Sequence, residues 1–317
     1  MSKKRGTRGK IDLTKLKTYS ITKRKSKVSL KDSAKPTPKG SRFRDFYANL
    51  PDVLAAKDFK SVVDAIVKAK KNNRPVIAMM GAHVIKCGLS PVIIELIKRD
   101  VITAVALNGA GIIHDFEIAL SGSTSEDVAD ALSDGSFGMA RETAQFLNNA
   151  VKSGVEMGLG VGYSVANAIA QRKLSHKNES ILYNCYKKGI PATVHVAIGT
   201  DIIHQHPSCD GAAIGEGTLR DFYKFEEVVA LLGGGVLINI GSAVILPEVF
   251  LKALSIGRNL GNKIEGFTTV NFDKERMYRP MQNVVVRPVL KSGKGYYIIG
   301  HHEIMIPLLA ASILERS

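Results

Sequence analysis

A cluster of small residues follows an apolar segment and could hold a phosphate or a ribose. Residues 101–107 are apolar and rich in β-branched side chains, as in a parallel strand buried on both faces, and Asn108-Gly109-Ala110-Gly111 follows directly. Residues without bulky side chains let a ligand approach the backbone closely. In open α/β sheets, nucleotides bind beside such strand ends. The segment therefore predicts nucleotide binding, with an ordinary tight strand-to-helix turn as the alternative.

Three further apolar runs end in similar short turns. These turns are Gly81-Ala82-His83, Gly199-Thr200-Asp201 and Gly241-Ser242. The carboxyl ends of parallel strands lie at one edge of a sheet, so we expect the four turns to converge there. A carboxylate only accepts hydrogen bonds, which suits Asp201 to a pair of ribose hydroxyls or to a cationic substrate.

Acid and base candidates lie close to these turns. Histidine is the usual choice because its unperturbed pKa lies near neutrality. Of eight histidines, we select His114 and His206 as acid/base candidates, with Asp201 orienting the cofactor or the substrate. For each histidine, a structural role is the alternative. Two imidazoles spaced by one residue on a strand, His204 and His206, could also bind zinc together with Cys209, but no second ligand pair follows and we assign no metal.

The elements that must position these residues alternate along the chain. Apolar runs predict strands over 76–80, 101–107, 192–198, 235–240, 266–271 and 296–300. Helical periodicity predicts helices over 58–72, 139–151, 165–171 and 180–188 and a last helix from about Glu303. This alternation predicts an α/β fold with a doubly wound, mostly parallel sheet. The glycine cluster 158–162 has no strand before it, so we interpret it as a flexible loop and a candidate lid.

Positive charge is concentrated at the start of the chain. Of 317 residues, the first 44 hold 16 of the 44 lysines and arginines and two of the 29 acids, a net charge of +14. The remaining 28 basic and 27 acidic residues leave +1. Residues 1–42 also lack a periodic apolar face, so we expect a flexible basic tail, either a solvated extension or a tether to nucleic acid or an acidic surface. An organelle-targeting leader is a third reading, which the dominance of lysine over arginine disfavours. Residues 43–317 are expected to form a single α/β domain.

Composition narrows the class of protein. Hydrophobic content of 45% with 29 glycines fits an α/β enzyme better than a fibrous chain. Three unpaired cysteines indicate a reducing compartment, and residues 1–10 lack the apolar segment of a secretory signal. The most apolar stretch, 228–254, is interrupted by glycines and a proline, which argues against a membrane span. We therefore expect a cytoplasmic protein without membrane contact.

Several segments together resemble the deoxyhypusine synthase family over roughly residues 45–315. The most specific are the Asn108–Phe116 turn, Thr200-Asp201, Leu232-Gly233-Gly234-Gly235-Val236 and Pro307-Leu308-Leu309-Ala310. The resemblance implies an NAD-binding α/β fold and a tetramer. It also implies hydride transfer from an amine to NAD, with the aminobutyl group then held on a lysine. The chain departs from the family at that lysine: it has no tryptophan, so the Trp-Gly-Lys segment is absent, and the position falls at Pro288 beside Arg287.

The resemblance assigns the cofactor and substrate positions. It implies NAD contacts at Asn108, Gly109, Ala110, Gly111, Thr200, Asp201, Thr268, Thr269 and Asp273, and substrate contacts at Lys86 and Asn239. We expect an NAD-dependent homo-oligomer that removes hydride from a carbon bearing an amine or a hydroxyl of a small-molecule substrate. A non-catalytic nucleotide-binding protein with a nucleic-acid-tethering tail is the first alternative, deoxyhypusine synthase proper another, and a metal-dependent hydrolase the last.

Overall fold

One parallel sheet organises the chain. In the computed structural model, which describes residues 11–316, six parallel strands form a sheet in the order β3-β2-β1-β4-β5-β6. The strands are β1 (Val76–Met80), β2 (Ala104–Asn108), β3 (Ala192–His195), β4 (Val236–Ile240), β5 (Thr268–Asp273) and β6 (Lys294–Ile299). Helices cover both faces, which confirms the predicted doubly wound α/β class.

Helices follow every strand. The α-helices are α1 (Phe43–Asn49), α2 (Leu54–Lys71), α3 (His83–Lys86), α4 (Ser90–Lys98), α5 (Gly109–Ser121), α6 (Val128–Asp134), α7 (Arg141–Glu156), α8 (Val161–Gln171), α9 (Ile181–Lys188), α10 (Gly211–Ala230), α11 (Ile245–Asn259), α12 (Tyr278–Pro280) and α13 (His302–Leu314). A π-helical segment, Met281–Val286, extends α12, and a 3-10 turn, Ile202–Gln205, follows β3.

The strand order reverses direction between β1 and β4. The chain adds β2 and β3 on one side of β1, and then β5 and β6 on the far side of β4. At this switch point the two strand ends nearly touch: a Cβ added to Gly81 would lie 2.7 Å from the carbonyl oxygen of Gly241. Ligand crevices of doubly wound sheets open at such a point. The four predicted turns therefore do converge on one edge.

Burial on both faces explains the continuous apolar runs of the strands. Ala78 and Met80 of β1 face one core, and Ile77 and Met79 face the other. All five residues of β1 are fully buried. A strand covered on both sides needs apolar residues at every position, so its sequence does not alternate.

Side chains of α10 cover the open edge of β3. Asp221 is buried, and its Oδ2 accepts hydrogen bonds from the amides of Val194 and Gly162, both at 2.8 Å. Thr218 accepts from the Val196 amide and donates to the Val194 carbonyl. Burial raises the pKa of Asp221 to about 7, although these amides favour its ionised form. The edge strand is thus paired with a helix where it has no neighbouring strand.

Two sequence expectations need correction. The second strand begins at Ala104, because Thr103 bonds to the backbone of Val76 before the ladder starts. The glycine cluster 158–162 is not a lid: Gly160 precedes α8, and a Cβ on Gly162 would lie 2.1 Å from the Ala192 carbonyl oxygen. These glycines pack α8 against the amino end of β3, at the edge opposite the converging turns.

Residues 11–42 contain three 3-10 turns, Leu13–Lys15, Ile21–Lys23 and Leu30–Asp32, and their side chains are almost entirely exposed. The segment returns to the body where the Lys35 amide donates to the Asn49 carbonyl and the Asp52 amide donates to the Asp32 carbonyl. Across residues 11–316, none of the helices has the length and apolar character needed to span a bilayer.

Asp221→Ala should destabilise the fold markedly. The change leaves two buried amides without an acceptor, and each costs about 1–3 kcal/mol, so the free energy of unfolding should fall by about 2–6 kcal/mol. Chemical denaturation measures this quantity. Glu227→Ala on the same helix is the control, because its exposed ion pair with Lys224 contributes less than about 1 kcal/mol. Equal effects of the two substitutions would contradict the role of Asp221.

Candidate functional site

Two cavities open at the carboxyl edge of the sheet. The first cavity, of about 200 Å³, lies beside the ends of β2 and β3, and its lining includes Lys86, His114 and Asp201. The second cavity, of about 260 Å³, lies beside the ends of β4, β5 and β6 and includes His83 and Asp273. The single turn of α3 separates them, with His83 on one side and Lys86 on the other.

Asp201 brings a buried carboxylate to the first cavity. Its side chain is 5% exposed, and its Oδ2 has no hydrogen-bond partner. The carboxylate lies against Gly109 at the start of α5, where an added Cβ would be 2.0 Å from Oδ2. Burial raises the pKa of Asp201 to about 6. A buried acceptor without a donor is costly, which marks the position as a place where a ligand can supply one.

Hydrogen bonds to Thr124, and through it to Glu117, fix the tautomer of His114. Thr124 donates its hydroxyl proton to Oε2 of Glu117 at 2.5 Å, so it accepts from Nδ1 of His114 at 2.7 Å. Thr143 donates to the other oxygen of Glu117. Nδ1 therefore carries the proton, and Nε2 keeps its lone pair. Burial lowers the pKa of His114, against the opposing charge of Glu117 and with a smaller contribution from Lys86, so the ring is neutral near pH 7.

Several predicted residues meet in this cavity. Its lining contains Lys86, Ala110, His114, Thr200 and Asp201. Gly109 lies beneath Asp201. The side-chain oxygen of Asn108 caps α5 by accepting from the Gly111 amide at 3.1 Å. Asn108 and Gly111 therefore shape the turn between β2 and α5. The Thr200 hydroxyl donates to the Ala197 carbonyl.

The residues predicted on β5 are split between the two edges of the sheet. Asp273 ends the strand and lines the second cavity. Thr268 begins it, and lines a groove with Gly293 and Lys294 at the amino end of β6. Thr269 is fully buried and donates to the Val284 carbonyl. The structure therefore does not bring the two threonines to the carboxyl edge, and we leave them out of the candidate site.

Asn239 and His206 also lie outside the two cavities. Asn239 is fully buried within β4, and its amide donates to the Ser242 carbonyl and to Asn271. It shapes the turn after β4, which leaves no surface for substrate. His206 ends the turn after β3, where its Nδ1 accepts from the Ser208 amide at 3.1 Å. The structure does not place it beside His114.

The zinc alternative depended on a strand that does not form. His204 belongs to the 3-10 turn Ile202–Gln205, and the turn ends before His206, so the two rings do not share a strand face. Cys209 lies half-buried three residues further on. Within residues 11–316, no three His, Cys, Asp or Glu side chains are placed to hold a metal ion.

Sequence reasoning missed Glu117 and Thr124. Glu117 follows His114 by three residues, and positions i and i+3 share a helix face, so the helical spacing could have found it. Thr124 lies beyond Gly122, which ends α5 in the left-handed conformation with φ 74°. Thr124 reaches His114 because the chain folds back after this turn, and no local sequence pattern predicts that it does so.

Larger grooves of the molecule lie away from the strand ends. One of about 430 Å³ lies between α7 and α8, and one of about 520 Å³ lies at the amino end of β3. Neither groove is lined by Asp201, whose Oδ2 lacks a hydrogen-bond partner, or by His114. The smaller carboxyl-edge cavities therefore combine the chemistry with the topological position.

Comparisons with known proteins support the fold. No protein-family model matches the sequence, and a search of curated proteins gives no significant match. Among solved structures, ArgZ, an arginine dihydrolase from the ornithine–ammonia cycle in cyanobacteria, superposes with a TM-score of 0.52 and 15% identity over 84% of this chain. AgrE, solved as a ternary complex with ornithine and NAD⁺, gives 0.53 and 12% over 82%. This chain spans 34% and 33% of the lengths of those two proteins.

A third neighbour matches almost end to end. A candidate deoxyhypusine synthase from Entamoeba histolytica superposes with a TM-score of 0.53 and 10% identity, covering 89% of this chain and 96% of its own. The resemblance found in the sequence is therefore supported at the level of the fold. A fold hosts many chemistries, so the function must be argued from the site.

Gly109→Ala should disturb the site through one atom. The added Cβ would lie 2.0 Å from Oδ2 of Asp201, so the carboxylate must move, at a cost of about 1–3 kcal/mol in unfolding free energy. Gly215→Ala on α10 is the matched control: its Cβ meets nothing within 4 Å, and the change should stabilise the helix by about 0.5–1 kcal/mol. Thermal and chemical denaturation give both values. A Gly109 variant as stable as the control would contradict the close approach.

Proposed function

We propose that this protein is an NAD-dependent enzyme that removes hydride from a substrate carbon bearing an amine or a hydroxyl. The observation that carries the proposal is the buried Oδ2 of Asp201, which lacks a donor at the carboxyl edge of a doubly wound sheet. A ribose hydroxyl supplies the missing donor. NAD, when bound, supplies the acceptor for the hydride.

Residues at both cavities fit a dinucleotide. Asp201 would accept from one ribose, while Gly109 and Ala110 at the start of α5 leave the backbone open to it. Gly81, at the switch point, lets the ends of β1 and β4 approach each other closely between the two cavities. Asp273, which lines the second cavity, would accept a hydrogen bond from the other end of the dinucleotide. Its Oδ1 already accepts from the Lys274 amide.

His114 and Lys86 would act on the substrate. His114 is neutral and keeps Nε2 free, so it can take the proton that leaves the amine or the hydroxyl as the hydride departs. Glu117, reached through Thr124, stabilises the protonated ring that results. Lys86 lies at the exposed mouth of the same cavity, where it can contact an acidic group of the substrate. The homo-oligomer implied by the resemblance is part of this proposal.

Calorimetric titration with NAD⁺ at several pH values tests the cofactor assignment. A hydroxyl donated to Asp201 favours the ionised carboxylate. Affinity should therefore be highest above pH 6 and should fall as the pH drops through about 6, where the free carboxyl takes up its proton. Asp201→Ala should weaken binding by at least about tenfold and remove this pH dependence.

Other titratable groups face the same cavity, so the control matters. They are Lys86, His114, Glu117 and Glu126, with His204 beside Asp201. Asp130→Ala, at an exposed position of α6, should bind NAD⁺ as the native protein does. A pH dependence that persists in Asp201→Ala would assign the titration to one of those groups. Unchanged affinity in a folded Asp201→Ala protein would refute the assignment.

A second candidate function is attachment to nucleic acid through residues 1–42. The described part of this segment exposes the apolar residues Leu13, Ile21 and Leu30, one in each 3-10 turn, among lysines. The first 44 residues carry +14 of the net charge of +15. Phosphate contacts by such side chains release counterions, which makes the affinity depend steeply on salt.

Replacing Lys23, Arg24, Lys25 and Lys27 with Gln should flatten that salt dependence. Four lost phosphate contacts reduce the slope of log affinity against log salt by about 2.8 on single strands and about 3.6 on duplex DNA. Fluorescence anisotropy with single-stranded and duplex oligonucleotides measures the slope. The control replaces Lys68, Lys70 and Lys71, a basic cluster at the end of α2 in the folded body. If both variants flatten the slope equally, or if neither does, the tail is not the tether.

A further inference from the structure

The two edges of the sheet differ in what covers them. At the β3 edge, Asp221 and Thr218 of α10 bond to the backbone of Val194 and Val196. At the opposite edge, β6 pairs only with β5. An edge strand without such a cover presents a row of backbone groups that can pair with another strand. The β6 edge is therefore where this sheet can be extended.

Pairing with β5 fixes which backbone groups of β6 point outward. The Lys294 amide donates to the Phe267 carbonyl, so the even-numbered residues of β6 bond to β5. The groups of successive residues point to opposite sides of a strand, so the outward amides and carbonyls are those of Gly295, Tyr297 and Ile299. Within residues 11–316, none of these outward groups has a hydrogen-bond partner.

The sequence of β6 lacks most of the features that keep an edge strand from pairing. Natural edges carry prolines, bulges or several charged side chains. The strand reads Lys-Gly-Tyr-Tyr-Ile-Ile, with a single charge at its start, and its last four residues favour strands. Ile299 is 52% exposed. An open edge of this composition indicates a strand as its partner.

We propose that a second copy of this chain adds its β6 to this edge, antiparallel, about a two-fold axis that passes beside Tyr297. Gly295 of each copy then lies opposite Ile299 of the other, and the two Tyr297 residues lie opposite each other. Each of these residue pairs exchanges two hydrogen bonds, which satisfies every outward group of both strands. A register shifted by two residues would leave one outward residue of each copy unpaired.

The rest of the fold favours a second copy over an unrelated strand. Pairing about a two-fold axis is closed, and the continuous sheet then ends at a β3 strand covered by α10 on both sides, so no open edge remains. The axis also brings the amino end of one β6 to the carboxyl end of the other. Lys294 and the exposed Leu290 of one copy thus lie at the same end of the interface as Glu303 and the exposed Ile304 of the other.

Ile299→Pro tests the pairing. Proline removes one outward amide from each copy and none of the bonds to β5. The matched control, Ile299→Val, keeps that amide and a β-branched side chain. Sedimentation equilibrium should show a dimer for the native protein and for Ile299→Val, and Ile299→Pro should weaken the dimer at least about tenfold. Thermal denaturation checks that the proline variant is folded.

Hydrogen exchange followed by NMR gives a second measurement that needs no substitution. The amides of Gly295, Tyr297 and Ile299 should exchange more slowly as the concentration of native protein rises through the dissociation constant of the dimer. An unchanged rate, or a dimer that Ile299→Pro does not weaken, would overturn this interface and leave the homo-oligomer of the proposed function to another surface. A monomer at every concentration would overturn both. The interface does not depend on NAD, so failure of the cofactor assignment would leave it standing.

Discussion

A buried carboxylate must find hydrogen-bond donors, and this requirement organises the carboxyl edge and the flank of the sheet. Asp115 accepts from Ser180 and from the amides of Ile181 and Leu182, and so holds the start of α9 against α5. Asp221 accepts two amides and closes the edge of β3. Burial raises the pKa of both, yet each has its donors within the fold.

Asp201 is also buried and its pKa is also raised, but one of its oxygens has no donor. This difference separates a structural carboxylate from a candidate binding group. A perturbed pKa alone would have selected all three aspartates, because desolvation is the main cause in each case. Of these three aspartates, only Asp201 has a buried carboxylate oxygen without a donor, and it also lies at the carboxyl edge of the sheet, where ligands bind.

The sequence predicts the sheet well because its strands are buried on both faces and read as continuous apolar runs. The run 76–80 coincides with β1, and the small residues after it lie at the common edge. Position along a strand is harder to predict. A match of residue order placed Thr268 and Thr269 with Asp273, yet the six residues of β5 put the threonines at the opposite edge of the sheet. The hydrogen-bond partners of His114 and His204 are brought to them by turns of the chain, and no local sequence pattern predicts where the chain goes after those turns.

The position that corresponds to the lysine of the deoxyhypusine synthase family bears on whether a covalent step is open to this chain. Arg287, beside that position, donates to Asn283 at 2.8 Å and to Tyr278 at 3.4 Å. A guanidinium stays protonated and cannot act as a nucleophile. Lys291 precedes β6 and therefore lies at the amino edge, away from both carboxyl-edge cavities. No lysine near that position can hold a transferred group, whereas Asp201, His114 and the glycine turn remain together. A covalent step in the proposed reaction would therefore need a lysine at another position, such as Lys86 in the first cavity.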